Sequence, residues 1–128
     1  MTITKFEDLE IWKDARELSK KVIWIANNSS LEKDYALRNQ VLGSSGSVMD
    51  NIAEGFERDG KKEFLQFLYI AKGSCGETRS QVHRIYDAGH ITPENYQDLI
   101  RDCLSLSSRI AGFINYLAKS DYQGIKKK

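Results

Sequence analysis

Histidine, cysteine and paired carboxylates are where chemistry would begin. The 128-residue chain carries two histidines, His83 and His90, and two cysteines, Cys75 and Cys103. A carboxylate metal site in a helical protein needs a Glu three residues before a His on facing helices. Position 80 is Ser80, position 87 is Asp87, and Gly89 separates Asp87 from His90, so neither histidine completes that pair. No metal and no cofactor are expected. The cysteines lack the close spacing of a zinc or redox motif. Each falls on an apolar stripe, which makes them small core residues. A structural disulfide between them is not expected in a reducing compartment.

Arg84 and His90 have the separation found in HEPN-type ribonucleases, where His acts as acid or base and Arg stabilises phosphate charge. The pattern is short. Arg84 faces away from its helix's apolar seam, and His90 suits a turn equally well, so no catalytic residue is assigned. Glu54 and Glu77 also stand off their seams, either solvated or paired with Arg38, Arg58 or Arg79. For nucleic acid, Lys13, Arg16, Lys20 and Lys21 cluster on the first helix. Arg58, Lys61 and Lys62 cluster at the turn between the second and third, and Lys126 to Lys128 lie in the tail. Lys13, Arg16, Lys20, Arg58, Lys61 and Lys62 are the candidate phosphate contacts. Asp14, Glu17, Glu57, Asp59 and Glu63 dilute them, and phosphate binding needs concentrated positive charge. A ring of subunits would repeat a modest patch and make it multivalent.

The elements that position these residues are helices. With 41% hydrophobic residues the chain can bury a core, and its net charge of +1 gives no global pull toward nucleic acid or membrane. One proline suits a mostly helical chain. No apolar run of roughly 18 residues predicts a membrane span. The first residues lack a signal-peptide pattern, so the cytoplasm is the expected location.

A first helix is expected from Phe6–Leu9 to Asn27–Asn28, with Asp8 as N-cap and a seam of Ile11, Ala15, Leu18, Val22 and Ile25. The second is expected from Glu32 or Asp34 to Glu57. Its seam is Val41, Ser45, Val48 and Ile52, with Leu37 and Leu42 alongside. Gly43 to Ser47 reads locally either as a flexible linker or as a helix whose small residues admit a neighbouring backbone. The third runs from Lys61 to Ala88 on Phe64, Leu68, Ala71, Cys75, Thr78, Val82 and Ile85. Gly60 stands at its N-cap and Gly89 is left-handed at its end. Thr92 caps a fourth helix with Pro93 at its first position. That helix continues on Tyr96, Leu99, Cys103, Leu106, Ile110, Phe113 and Leu117 to about Lys119. Four such helices with short connections predict an all-α antiparallel up-down-up-down four-helix bundle over residues 1–120, with a polar, frayed tail over 121–128. Trp12, Ile23 and Trp24 on the first helix and Tyr69 and Ile70 on the third lie well off the seams. Their number favours a second contact surface, used for self-association, over ordinary partial exposure.

Several motifs carry a family resemblance. They are Phe6-x-x-Leu9-x-x-Trp12; Asn51-Ile52-Ala53-Glu54-Gly55 with Arg58; Lys62-Glu63-Phe64; and Phe67-Leu68-x-Ile70-Ala71-x-Gly73-Ser74 with Glu77. Together they resemble the proteins of the 23S rRNA intervening-sequence family over nearly the whole domain. The resemblance implies a four-helix bundle assembled as a homopentamer, with no enzymatic activity. By similarity to the accessory proteins of diversity-generating retroelements, it implies binding to RNA or DNA and to a nucleic-acid enzyme such as a reverse transcriptase. It also implies that Gly43 to Ser47 is helical, and that Asn51, Glu54, Gly55, Gly73, Ser74 and Glu77 are motif residues of structural weight. The chain departs from the family pattern at Leu42-Gly43, where a basic pair is usual, and at Met49, Glu57 and Gly60, where proline, glycine and serine are usual. The missing basic pair and the added Glu57 weaken the implied RNA binding, and the missing proline predicts a straighter second helix. Three functions follow in order: a non-enzymatic oligomeric bundle for nucleic acid or its enzymes, a purely structural or protein-interaction module, and a HEPN-like ribonuclease.

Overall fold

The computed structural model describes residues 3–124. The first helix, α1 (Glu10–Asn28), buries the expected seam of Ile11, Ala15, Leu18, Val22 and Ile25, with Ala26 beside it. Its start differs from expectation. Phe6–Asp8 form a 3₁₀ turn, Leu9 takes the N-cap, and Asp8 belongs to the turn. Leu9 is buried, and Phe6 stands edge-on to Trp12 with ring centroids 5.2 Å apart. Apolar contacts, not a capping carboxylate, therefore set where α1 begins.

A second 3₁₀ turn, Ser30–Lys33, leads into α2 (Tyr35–Glu57). The Ser29 hydroxyl accepts the Leu31 N–H at 3.2 Å, and Leu31 is fully buried. Helix α2 runs unbroken through Gly43 to Ser47, which decides the question left open by local sequence. Ser45 satisfies its hydroxyl inside the helix by donating to the Val41 carbonyl at 2.7 Å. After a turn in which Asp59 has φ 61°, α3 (Lys61–Asp87) starts from an extended Gly60. All seven expected seam residues of α3 are buried, and Gln81 joins them. Each large apolar side chain so buried contributes on the order of 1.5–3 kcal/mol. Gly89, at φ 81°, lets the chain reverse: its N–H bonds the Tyr86 carbonyl (2.9 Å) and the His90 N–H bonds Ile85 (3.1 Å). Helix α4 (Pro93–Lys119) begins as expected, with the Thr92 hydroxyl accepting the Asn95 N–H at 3.1 Å.

The four helices form an all-α bundle, with no strand among the described residues. Each packs on its two neighbours in the order α1, α2, α3, α4 and back to α1, so α1 lies diagonal to α3. Two corrections concern the C-terminal end. Ile114 is buried where Phe113 was expected. Phe113 is half-buried and tilts against Phe64 with centroids 5.7 Å apart, because an α-helix drifts against a fixed heptad pattern. Tyr122, placed by composition in a frayed tail, is instead buried beside Phe64, with centroids 6.3 Å apart. One aromatic ring among polar neighbours is enough to dock that segment. Lys126 to Lys128 lie outside the described residues. No described helix is long and apolar enough to cross a membrane.

Candidate functional site

The motif residues at the middle of the chain converge on the seam between α2 and α3. The Asn51 amide donates to both the carbonyl and the hydroxyl of Ser47, each at 2.8 Å. The Ser47 hydroxyl also accepts from Ser74 at 3.2 Å. Further along the same seam, Thr78 bonds Ser44 at 2.9 Å, and Ser44 donates to Gln81 Oε1 at 2.5 Å. Ser44, Thr78 and Gln81 are buried, and the partners they find in one another let two backbones come close without stranding a polar atom. Gly55 marks the closest approach. A Cβ there would stand 2.7 Å from the Cβ of Phe67 and 3.0 Å from a ring carbon of Phe64. Glu54 pairs with Arg58 at 3.0 Å, and the Arg58 guanidinium lies 5.1 Å from the Phe67 ring centroid. Gly55 and Ser74 thus make contacts between α2 and α3, Asn51 and Glu54 bond within α2 and its cap, and Gly73 and Glu77 are exposed.

The basic candidates divide between two places. Lys13, Arg16 and Lys20 form a stripe on α1. Lys13 stands 3.7 Å from Glu10, Arg16 covers the Trp12 ring at 5.7 Å, and Lys20 bonds Glu17 at 3.1 Å. Arg58, Lys61 and Lys62 gather at the α2–α3 turn, where Lys61 donates to the Ser120 carbonyl at 2.6 Å and Lys62 is exposed. Lys21 belongs to neither group. It reaches α4, bonding Asp98 at 2.9 Å and Asp102 at 2.6 Å. These bonds, Asp102 first, raise its ammonium above the ordinary lysine range.

The outer apolar residues also divide. Ile23 and Trp24 on α1 are 47% and 58% exposed, and Tyr69 and Ile70 on α3 are 62% and 51% exposed. The two pairs form two separate patches on the diagonal helices α1 and α3, with Trp24 beside Asn95, Asp98 and Leu99 of α4 and Tyr69 beside Cys103 and Ser107 of the same helix. Trp12 is half-buried, largely occupied by Phe6 and Arg16 of its own subunit. Sequence reasoning missed the exposed Tyr35, Leu104 and Tyr116. For Leu104 and Tyr116 the signal was available, since they stand beside the seam residues Cys103 and Leu117.

The far end of the bundle accounts for the histidines. His90 presents Nε2 to Asp34 at 2.9 Å and Nδ1 to Ser30 at 2.6 Å, which ties the α3–α4 turn to the α1–α2 connection. The His90 hydrogen bond, helped by the charge of Arg84, holds the Asp34 carboxyl below the usual carboxylate range. Arg84 itself bonds Gln40 of α2 at 2.9 Å. His83 bonds the Tyr96 hydroxyl at 2.6 Å, and Tyr96 stacks on Tyr86 with centroids 4.0 Å apart. The two residues with ribonuclease-like spacing are each engaged by other elements of the fold. Among the described residues no group of three or more His, Cys, Asp or Glu could hold a metal ion.

A family model described as 23S rRNA-intervening sequence protein matches residues 7–112. Among curated proteins no match is found. The chain is similar to a solved structure from Bacteroides thetaiotaomicron, described as a protein with unknown function from the S23 ribosomal protein family. The two share 20% sequence identity with a TM-score of 0.73, over 81% of this chain and 97% of that one. At that identity the likeness is one of fold.

Proposed function

The chain belongs to the 23S rRNA-intervening sequence protein family, and from that premise we propose that it acts without catalysis, as a self-assembling bundle in the cytoplasm that binds nucleic acid or holds a nucleic-acid enzyme. One observation carries the reading: two unlike exposed apolar patches, Ile23 with Trp24 and Tyr69 with Ile70, on two diagonal helices of one subunit. A patch on one copy meeting the other patch on the next is a heterologous contact, and such contacts close into rings when the rotation allows. Five copies is the number implied by the family resemblance. A ring repeats the α1 stripe of Lys13, Arg16 and Lys20 and the turn cluster of Arg58, Lys61 and Lys62 in every copy. Weak phosphate contacts then act together. RNA or DNA, or a reverse transcriptase bound to it, is the corresponding partner.

Sedimentation of the purified protein tests assembly, and a monomer at micromolar concentration contradicts it. Trp24→Glu and Ile70→Glu are expected to release subunits while helicity by circular dichroism stays intact. Simultaneous loss of both properties would count against two separate faces. RNA binding that weakens steeply with salt supports the nucleic-acid role, and no binding at low salt removes it.

A protein-interaction module without nucleic acid is the second reading. It draws on the engagement of the basic side chains by their own subunit: Lys20 by Glu17, Arg58 by Glu54 and Lys61 by the Ser120 carbonyl.

A further inference from the structure

The cysteines stand apart from the assembly reading, and the inference drawn from them goes beyond it. Cys75 on α3 and Cys103 on α4 are both buried and free. They lie together across the α3–α4 seam, where the Cys75 thiol donates to the Cys103 carbonyl at 3.3 Å. The chain covers both residues, Cys75 at 0% and Cys103 at 1% exposure, and the seam beside them is grooved. The groove, of about 370 Å³, is lined by Tyr69, Lys72, Gly73, Gly76, Arg79 and Ser107. A Cβ at Gly73 or Gly76 would meet nothing within 4 Å, so the space beside the pair is unfilled by the subunit itself. Two cations, Lys72 and Arg79, line the same groove and favour a thiolate beside them.

We propose that Cys75 and Cys103 are a redox modification site, at which a peroxide entering the α3–α4 groove drives a reversible disulfide between the two helices. The Cys75 thiolate attacks a peroxide oxygen, the O–O bond breaks, and hydroxide leaves to take up the thiol's released proton as water. Cys75 is then a sulfenic acid. The Cys103 sulfur attacks it, the S–S bond forms, and the sulfenic oxygen departs as a second water with the Cys103 proton. Two electrons pass from the sulfur pair to one peroxide. The roles follow from the sites. The hydrogen bond to Cys103 and the charges of Arg79 and Lys72 lower the Cys75 thiol from its ordinary value, while the Cys75 contact and burial raise that of Cys103. A thiol reduces the bond again and restores both cysteines. Inside a cell such cross-links are characteristically transient and redox-sensing.

The test is hydrogen peroxide added to the full chain, followed by intact mass and peptide mapping. The expected product has lost two hydrogens, carries a Cys75–Cys103 link within one chain, and returns to the starting mass with dithiothreitol. Cys103→Ser should leave Cys75 trappable by dimedone, whereas Cys75→Ser should leave Cys103 unlabelled. Gly76→Leu, which fills the groove, should slow oxidation several-fold. Because a neighbouring copy at the Tyr69 face would also cover the groove, the same treatment is applied to Ile70→Glu, and the link forming in either protein supports the proposal. Free thiols in both proteins after treatment, a link between chains only, or equal dimedone labelling of the two serine variants overturns it. With Ile70→Glu treated alongside, the readouts require neither assembly nor RNA binding, so the two readings fail separately.

Discussion

The α2–α3 seam and the α1–α4 seam perform the same task with opposite chemistry. Between α2 and α3 the polar contacts are short and neutral, from Ser44, Ser47, Ser74, Thr78 and Gln81, with Gly55 admitting Phe67 at the turn. Between α1 and α4 they are long and charged. Lys21 reaches Asp98 and Asp102, Arg109 pairs with Asp14, and a groove of about 330 Å³ lies among them. A hydroxyl bonds its neighbour only when the backbones are close and in register, and stranding a buried partner costs about 1–3 kcal/mol. A lysine spans a wider gap, stays in water and contributes at most about 1 kcal/mol. The comparison makes the α2–α3 hairpin the specifying half of the bundle and α1 the more loosely held element.

The largest test of that contrast is Phe64→Ala, which empties the aromatic cluster at the hairpin turn and is expected to cost about 3–5 kcal/mol in chemical denaturation. Gln81→Ala follows, at about 1–3 kcal/mol, because Ser44 is left buried without its acceptor. A loss under a few tenths of a kcal/mol would show that the seam relaxes around the gap. Lys21→Ala should cost no more than about 1 kcal/mol, less in high salt, since its side chain is 43% exposed. Its raised ammonium stabilises the fold below the ordinary lysine value, and that contribution is lost as pH rises through the folded-state value. Amide exchange in α1 should accordingly outpace that in α2 and α3, and uniform exchange would dissolve the distinction. The smallest effect belongs to the Asp34–His90 tie. The lowered carboxyl stabilises the fold above its unfolded value and loses that effect as pH falls below 3.8 through the folded-state value. Asp34→Asn should flatten this acid limb of a thermal-melting profile and leave the neutral region nearly unchanged.

Much of the fold was legible in the residues. The seams of α1 and α3 were read in full, because one buried stripe per helix leaves a period that survives any neighbour. Gly89 and Thr92 were read correctly, because their backbone and capping chemistry is local. Asp8 misled, because a good capping residue lost to the burial of Leu9. Tyr122 misled, because composition averages one docking ring into a polar tail. The candidate site was less legible. Arg58 read both as a phosphate contact and as one possible partner of Glu54, and the structure shows it between Glu54 and the Phe67 ring. The cysteines read as small core residues and are buried, but their placement against each other was not legible. In both cases a partner on another helix, or a turn away, changed what the side chain can do.

Alone, the order of residues determined four helices, most of their ends and most of the stripe each one buries, because these depend on contacts within a few positions along the chain. Only the tertiary structure decided that Ser44 meets Gln81, that Cys75 meets Cys103 beside a groove, and that the two outer apolar patches sit on diagonal helices. Those facts depend on how each helix is rotated against its neighbours, and that rotation is set by the whole core at once.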